Sequence, residues 1–344
     1  MSRAPQPDRA RLLAIARAMQ KRPVAVIGDL VLDRYWVGRS SRISREAPVL
    51  ILEYEAERAV PGGAANAAMN VRSLGGIPRL IGRVGRDRSG IALAQSLRAH
   101  GLDRRWLLRD GGATTIVKTR ILAGSSHTSR QQIVRLDRGQ RSTWTRDAER
   151  ALARTAVRAL RGAGAVLLSD YGYGTLGRAI RSAALVAAKR AGIPIVVDSR
   201  YALRSFRGAT LLTPNEHEVQ EAFHLPSLDL RLLKKAGTEL LRRASAQAVW
   251  ITRGSDGMLL LSRGEAPLRV PIVGSSDVAD VTGAGDAVSA AASLALAAGA
   301  TQLEAALIAT YAASVVVMKR GTATVDRHEL EAAIQSHPVP KVRA

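Results

Sequence analysis

The chain has 344 residues and no cysteine, so disulfides and zinc–thiolate sites are excluded, while the redox compartment is left open. Aromatic residues are scarce, at 3%, and the 47% hydrophobic content must pack through alanine, valine and leucine. That amount of apolar material suffices for one large α/β domain or two small ones. No apolar run matches the roughly 20 strongly apolar residues of a membrane span. The best stretch, from Ala284 to Ala298, is alanine-rich, short and interrupted by Asp286. The segment from Arg9 to Arg22 is basic and amphipathic but lacks the apolar h-region of a secretory signal. Pro23 and a strand follow at once, which favours a docked surface helix over a transit peptide. A cytoplasmic protein without a membrane partner is the expectation. Acidic residues are also in deficit: 29 against 51 basic ones, a net charge of +22. A nucleic-acid-binding protein is the non-enzyme class such a charge suggests. The arginines, however, are dispersed, without long runs or interleaved aromatics, as on a solvated surface, and no specific nucleic-acid partner is expected. The same field would attract phosphorylated metabolites.

Two nucleotide-binding signatures are missing as well. There is no Gly-Lys-Ser/Thr, which argues against a P-loop. The first strand leads into Gly28-Asp29-Leu30-Val31, not Gly-x-Gly-x-x-Gly, and the late Gly283-Ala284-Gly285 lacks a third glycine. A Rossmann oxidoreductase is disfavoured on that ground.

What the chain does have is an alternation of short β-branched runs with alanine-rich helical segments, the pattern of a mostly parallel sheet covered on both faces. Strands are predicted at 24–27, 79–84, 165–169, 193–198, 210–212, 248–252 and 258–262. Helices are predicted at 64–74, 89–100, 146–161, 175–191, 216–222, 230–244, 284–298 and 303–318. Two segments, about 33–57 and 113–138, break the rhythm with strands and no helix between them. They suggest a small antiparallel sheet inserted into a single domain spanning 1–344. Such a sheet suits a lid that excludes water, a homodimer interface, or both; a decorative surface hairpin has the same signature.

Asp280-Val281-Thr282-Gly283-Ala284-Gly285-Asp286 precedes the small-residue helix. The glycines place bare N–H groups at a helix N-terminus, where the dipole favours phosphate. Asp286 stands in the same turn. A cradle for developing negative charge beside a base is what phosphoryl transfer to a hydroxyl needs. A tight strand-to-helix turn with Asp286 as cap accounts for the same residues.

Other motifs fall in order. Gly28-Asp29-Leu30-Val31-Leu32-Asp33 ends the first strand, and Pro61-Gly62-Gly63-Ala64-Ala65-Asn66 opens a helix. Asn215-Glu216-His217-Glu218 follows a strand, and Thr252-Arg253-Gly254-Ser255-Asp256-Gly257 turns between two more. With the Gly-Ala-Gly-Asp turn this set resembles the ribokinase-like (PfkB) carbohydrate kinase family over nearly the whole chain. Gly28 to Trp36, Ser41 to Val49, Gln131 to Asp137 and Leu168-Ser169-Asp170-Tyr171 are similar to the kinase domain of bacterial D-glycero-β-D-manno-heptose 7-phosphate kinases. Many of those continue into a nucleotidyltransferase domain; ending at Ala344, this chain reads as a kinase-only form.

The resemblance implies a three-layer ribokinase-like fold with a small β-sheet lid, and ATP- and Mg²⁺-dependent phosphorylation of a sugar phosphate. By it, Asp286 is the base and the amides of Gly283, Ala284 and Gly285 hold the transferring phosphoryl group. Asp33, Gly62, Gly63 and Asn66, with Asp170 as a weaker candidate, match sugar-binding positions. Asn215 and Glu218 match the Asn-x-x-Glu that organises Mg²⁺ and phosphates, through water at Glu218; a helix cap with a first-turn acid looks the same. Thr252, Gly254 and Gly257 match the loop under the nucleotide, where an ordinary hairpin turn would also fit. Asp280 and Thr282 resemble positions near a monovalent-cation (K⁺) site, against a plain strand-end carboxylate. Two departures stand out: Asp198-Ser199-Arg200 replaces the usual Asp-Pro-Lys, and the hairpin carries an extra stretch from Gly124 to Ser129 that includes His127. A phosphorylated acceptor needs cations away from the glycine turn, and Arg42, Arg45, Arg120, Arg130 and Arg135 are the candidates.

Overall fold

The computed structural model describes residues 7–124, 130–139, 144–275 and 278–344. Most of the extra hairpin stretch, including His127, lies outside them. In chain order the elements are α1 (Arg9–Ala18), β1 (Pro23–Gly28), β2 (Leu30–Ile43), β3 (Leu50–Gly63), α2 (Ala64–Ser73), β4 (Ile77–Gly85), α3 (Arg88–Ala99) and β5 (Leu107–Asp110). Then follow β6 (Ile116–Gly124), β7 (Gln131–Arg138), α4 (Arg146–Ala159), β8 (Ala165–Asp170), α5 (Arg178–Arg190), β9 (Ile195–Ser199), β10 (Leu211–Leu212), α6 (Glu216–Phe223) and α7 (Leu230–Arg243). The chain closes with β11 (Ala248–Thr252), β12 (Met258–Ser262), β13 (Leu268–Val270), α8 (Ala284–Ala297), α9 (Gln302–Val316) and α10 (Arg327–Ser336).

The large sheet runs β13-β12-β11-β10-β9-β8-β1-β4-β5. Its pairs are parallel from β5 through β11, and β12 and β13 are added antiparallel at one edge. Successive side chains of a strand point to opposite faces, and here both faces are covered. In β1, Val24 and Val26 join one apolar layer while Ala25 and Ile27 join the other. Trp250 and Ile251 divide in the same way on β11. Helices α2, α8, α9 and α10 pack on the first face, α4, α5 and α7 on the second. This is why the core strands read as unbroken apolar runs.

Every residue from Asp286 to Leu296 on α8 is buried. Alanine is required there because α2 and α9 flank the helix closely. Its two interior serines are satisfied within the helix: Ser289 donates to the Asp286 carbonyl and Ser293 to that of Ser289. The N-terminal segment is a docked helix, capped by Asp8, burying Leu12, Ile15 and Ala16 beside α10.

The small sheet has the order β3-β2-β6-β7. It is not wholly antiparallel, as the sequence suggested. Two antiparallel hairpins, β2–β3 and β6–β7, are joined by a parallel seam in which Asp33 lies opposite Lys118 and Tyr35 opposite Arg120. The chain passes through α2, β4, α3 and β5 between the hairpins and so returns in the same direction. Elements β5, β13 and α10 were not foreseen: the two strands are short edges, and α10 begins at an Asp326–Glu329 capping box. Among the described residues no helix is long and apolar enough to cross a membrane.

Candidate active site

At the carboxyl ends of the central strands, between the two sheets, lies a cavity of about 400 Å³. Asp286, in the first turn of α8, lines it and is 4% exposed. Its carboxylate accepts two hydrogen bonds: from Asn66 Nδ2 on α2 at 2.7 Å and from the Tyr171 hydroxyl after β8 at 2.9 Å. Burial raises the Asp286 pKa to about 7, helped by the neighbouring carboxylates Asp198 and Asp33; the Asn66 and Tyr171 hydrogen bonds oppose the rise. The Tyr171 hydroxyl is itself pushed well above its ordinary range by burial and by Asp286, so it remains a donor.

Gly283 caps α8 with φ +84°, and a Cβ there would lie 2.8 Å from Asn66 Nδ2. A side chain at this position would therefore strain the turn and displace a partner of Asp286. Gly283 and Gly285 line the cavity, and Gly285 opens onto free space. The Ala284 amide instead makes a 3.2 Å turn bond to the Val281 carbonyl, and Ala284 is absent from the lining.

On the acceptor side, Asp33 pairs with Arg120 at 2.5 Å and accepts from the Thr322 hydroxyl at 3.3 Å. A Cβ on Gly62 would meet the Asp33 carboxylate at 2.2 Å, which explains the glycine. Gly63, with φ +59°, caps α2 and lines the cavity beside Asn66. Asp170 also lines it, and accepts from Ser199 Oγ at 2.8 Å and from the Gly172 amide at 3.1 Å.

Four cations line the cavity: Lys118 and Arg120 of β6, Arg135 of β7, and Arg200 after β9. Arg135 pairs with Asp137 at 2.9 Å. Lys118 is buried, its ammonium 5.1 Å from the Tyr171 ring centre, and burial followed by repulsion from Arg200 lowers its pKa. The Arg200 guanidinium also lies over this ring, 5.5 Å from its centre. Neither Lys118 nor Arg200 has a carboxylate within ion-pairing distance among the described residues. Of the five arginines proposed from sequence, Arg120 and Arg135 reach the cavity; Arg42 and Arg45 are exposed away from it, and Arg130 pairs with Glu55.

The opposite half carries Thr213, Asn215, Glu218 and Thr252. Asn215 and Glu218 form a reciprocal capping box on α6: the Asn215 amide donates to Glu218 Oε2 at 2.9 Å and the Glu218 amide to Asn215 Oδ1 at 2.8 Å. Burial raises the pKa of both Asp198 and Glu218; Glu218 adds to the rise at Asp198 and Glu221 to that at Glu218, while the Asn215 hydrogen bonds oppose it at Glu218 and Arg200 opposes it at both. Thr252 bridges to Asn215 at the end of β11. Gly254 and Gly257, with φ +52° and +78°, shape the turn from β11 to β12 outside the cavity lining. Thr282 lines the cavity. The Asp280 carboxylate is occupied within its own loop, accepting from the Thr282 and Gly321 amides, each at 2.9 Å. Burial alone would raise its pKa, but those bonds hold it below the ordinary value.

Sequence reasoning passed over Tyr171, Lys118, Thr213 and Thr322, and read Asp198 and Arg200 only as a departure in a motif. Tyr171 stood within a noted motif, but nothing local showed that it meets a carboxylate 115 residues away.

A profile described as pfkB family carbohydrate kinase matches residues 21–329. The bifunctional protein HldE of Azorhizobium caulinodans is 43% identical over 320 residues, covering 92% of this chain and 65% of that protein. HldE of Proteus mirabilis is 40% identical over 316 residues, 92% of this chain and 64% of that one. The chain thus spans just under two-thirds of the length of these curated relatives. In three dimensions it resembles the ribokinase of Arabidopsis thaliana complexed with ribose and ATP, with a TM-score of 0.69 and 21% identity over 92% of this chain and 99% of that one. Phosphofructokinase-2 of Escherichia coli in complex with potassium gives a TM-score of 0.72 and 19% identity over 92% and 98%. At those identities the likeness is one of fold, and the fold is ribokinase-like.

Proposed function

The chain belongs to the pfkB family of carbohydrate kinases and is an ATP-dependent sugar kinase, and we propose that its acceptor is D-glycero-D-manno-heptose 7-phosphate, phosphorylated at the anomeric hydroxyl for ADP-heptose synthesis. One observation carries the choice of a phosphorylated acceptor. Lys118, Arg120 and Arg135 of the small sheet line the cavity, with Arg200 sharing the Tyr171 ring with Lys118, and neither Lys118 nor Arg200 makes an ion pair among the described residues. A free sugar has no use for that charge; a sugar phosphate brings a dianion that matches it.

In this reading the acceptor hydroxyl lies at Asp286, with Asp33, Asn66 and the Gly62–Gly63 backbone fixing the other hydroxyls. The hydroxyl oxygen attacks the γ-phosphorus of ATP while its proton passes to Asp286. The bond from that phosphorus to the β,γ-bridging oxygen breaks, and ADP leaves. The positive end of α8, presented by Gly283 and Gly285, stabilises the charge that builds on the transferring group. A base poised near neutrality suits the task, since a large fraction is ionised near pH 7 and it still holds a proton well enough to take it.

A divalent cation fits the other half. Asp198 and Glu218 are oxygen donors raised by burial, with Glu218 adding to the rise at Asp198 and Glu221 to that at Glu218, a penalty that a bound cation would relieve. No group of three or more His, Cys, Asp or Glu able to chelate a metal occurs among the described residues. Mg²⁺ tolerates that, because it is held by one or two carboxylates together with water and substrate phosphates. Bound there, it would screen the phosphates of ATP. For K⁺, Asp280 and Thr282 are the matching positions.

The test is ADP release over a panel holding D-glycero-D-manno-heptose 7-phosphate, fructose 6-phosphate and ribose, on wild type and Asp286→Asn. The heptose phosphate should lead the panel, and Asp286→Asn should lose at least about 10²-fold in kcat with ATP binding retained. Should ribose outperform both phosphates, the chain is a pfkB kinase of free sugars.

A further inference from the structure

Asp29, directly after β1, is fully buried, does not line the cavity and makes no ion pair among the described residues. Its carboxylate accepts three backbone amides of the loop after β8: Tyr171 at 2.9 Å, Tyr173 at 3.0 Å and Thr175 at 3.0 Å. Its carbonyl accepts the amide of Ala64, the first residue of α2, at 3.0 Å. A Cβ on Gly63 would approach that carbonyl to 2.6 Å, so the contact between Asp29 and the start of α2 depends on the glycine. The two segments that Asp29 grips are the two that supply the hydrogen-bond donors of Asp286: Tyr171 from the loop and Asn66 from α2.

We propose that Asp29 is a positioning residue for phosphoryl transfer, its side chain aiming the Tyr171 hydroxyl, and its carbonyl aiming Asn66, at the Asp286 carboxylate. An ordinary loop clamp needs no charge. Burying a carboxylate is costly unless its oxygens are hydrogen-bonded, and burial does push Asp29 upward, with Asp170 adding to the rise and the bonds from Thr175 and Tyr173 opposing it. A neutral Asn offers one acceptor oxygen, and its NH₂ would face amides that are donors themselves. Three converging N–H groups are satisfied only by a carboxylate. That arrangement fixes the loop where a one-ångström error would separate Tyr171 from the base.

The proposal rests on Asp286 being the base, and the experiment separates the two claims. Kinetics are measured with ATP and D-glycero-D-manno-heptose 7-phosphate on Asp29→Asn, Tyr171→Phe, the double variant and Asp286→Asn, with thermal melts as fold controls. Asp29→Asn should lower kcat on the order of tenfold while the KM for ATP stays near wild type. The acidic limb of its kcat–pH profile should move to higher pH, because Asp286 loses a donor that lowers its pKa. Asp198, Asp33 and Tyr171 are the titratable groups that bear on Asp286, and neither single change touches the first two. Tyr171→Phe should move the limb the same way, and adding Asp29→Asn to it should lower Tm further but leave kcat and the limb where Tyr171→Phe put them. Additive effects on kcat, or a folded Asp29→Asn protein with an unmoved limb, would overturn the proposal. Asp29→Ser serves if Asp29→Asn does not fold; if neither folds, Asp29 is structural and the proposal fails. Normal turnover in Asp286→Asn would instead remove the base assignment.

Discussion

Three influences meet on Asp286 and do not agree. Burial and the carboxylates of Asp198 and Asp33 favour its protonated form; Asn66 and Tyr171 favour the ionised one. Burial prevails, and the group sits near pH 7. The sign follows for activity. A base works only when ionised, so kcat should fall as pH drops through about 7, tenfold per unit well below it, where an unperturbed carboxylate would give a flat profile down to about 4. A kcat–pH profile in a non-chelating buffer checks this; a plateau persisting to pH 5 would show that Asp286 is not the titrating base. The glycines of the site were legible in the sequence as turns, and the structure adds a steric reason at two of them. Gly62 leaves room for the Asp33 carboxylate and Gly283 for the Asn66 amide. Those reasons are long-range contacts, invisible to spacing.

At the level of elements, the core strands were readable because a parallel sheet buried on both faces demands continuous apolar runs. The two hairpins were readable because no helical period intervenes. Their parallel seam was not, since pairing β2 with β6 is a matter of topology and leaves no local trace. The seam is nonetheless what builds the cationic half of the cavity. Residues two apart on a strand share a face, so Lys118 and Arg120 on β6 point inward together, with Asp33 opposite on β2 and Arg135 opposite on β7. Five arginines of the two inserted segments were candidates; register selects two and adds a lysine. Lys118 gives the cleaner test, because removing Arg120 would strand the buried Asp33. Lys118→Met keeps a flexible apolar side chain of similar length and deletes the charge that stands over the Tyr171 and Tyr173 rings. Its KM for the sugar phosphate should rise by about tenfold or more, with the ATP KM little changed and a free sugar unaffected. Equal losses for phosphorylated and free acceptors would mean that Lys118 holds the cavity wall and not a phosphate.

For the molecule as a whole, the outer side of the small sheet poses the open question. Ile43 is 67% exposed, Tyr54 68% and Leu136 53%, and Val49, Leu50 and Val134 on the same hairpins are exposed as well. Soluble monomers seldom leave a contiguous apolar patch of this kind uncovered. The sheet ends in two edge strands, β3 and β7, whose unpaired backbone groups invite a further strand. Since Arg135 points into the cavity, Val134 and Leu136 must point away from it. We therefore expect two copies to meet through this face about a two-fold axis, burying the patch while the inner face keeps its cations on the acceptor. Size-exclusion chromatography with light scattering at micromolar protein should show a dimer, and the pair Tyr54→Arg with Leu136→Arg should give a monomer with weakened acceptor binding and near-normal ATP binding. Salt discriminates the driving force. Each copy carries a net charge of +22, so the copies repel one another at long range and screening removes that repulsion. An apolar interface should tighten between 50 mM and 500 mM salt, where one built on ion pairs would loosen. A wild-type protein that runs as a monomer at both salt concentrations leaves the patch without a partner copy and sinks the dimer.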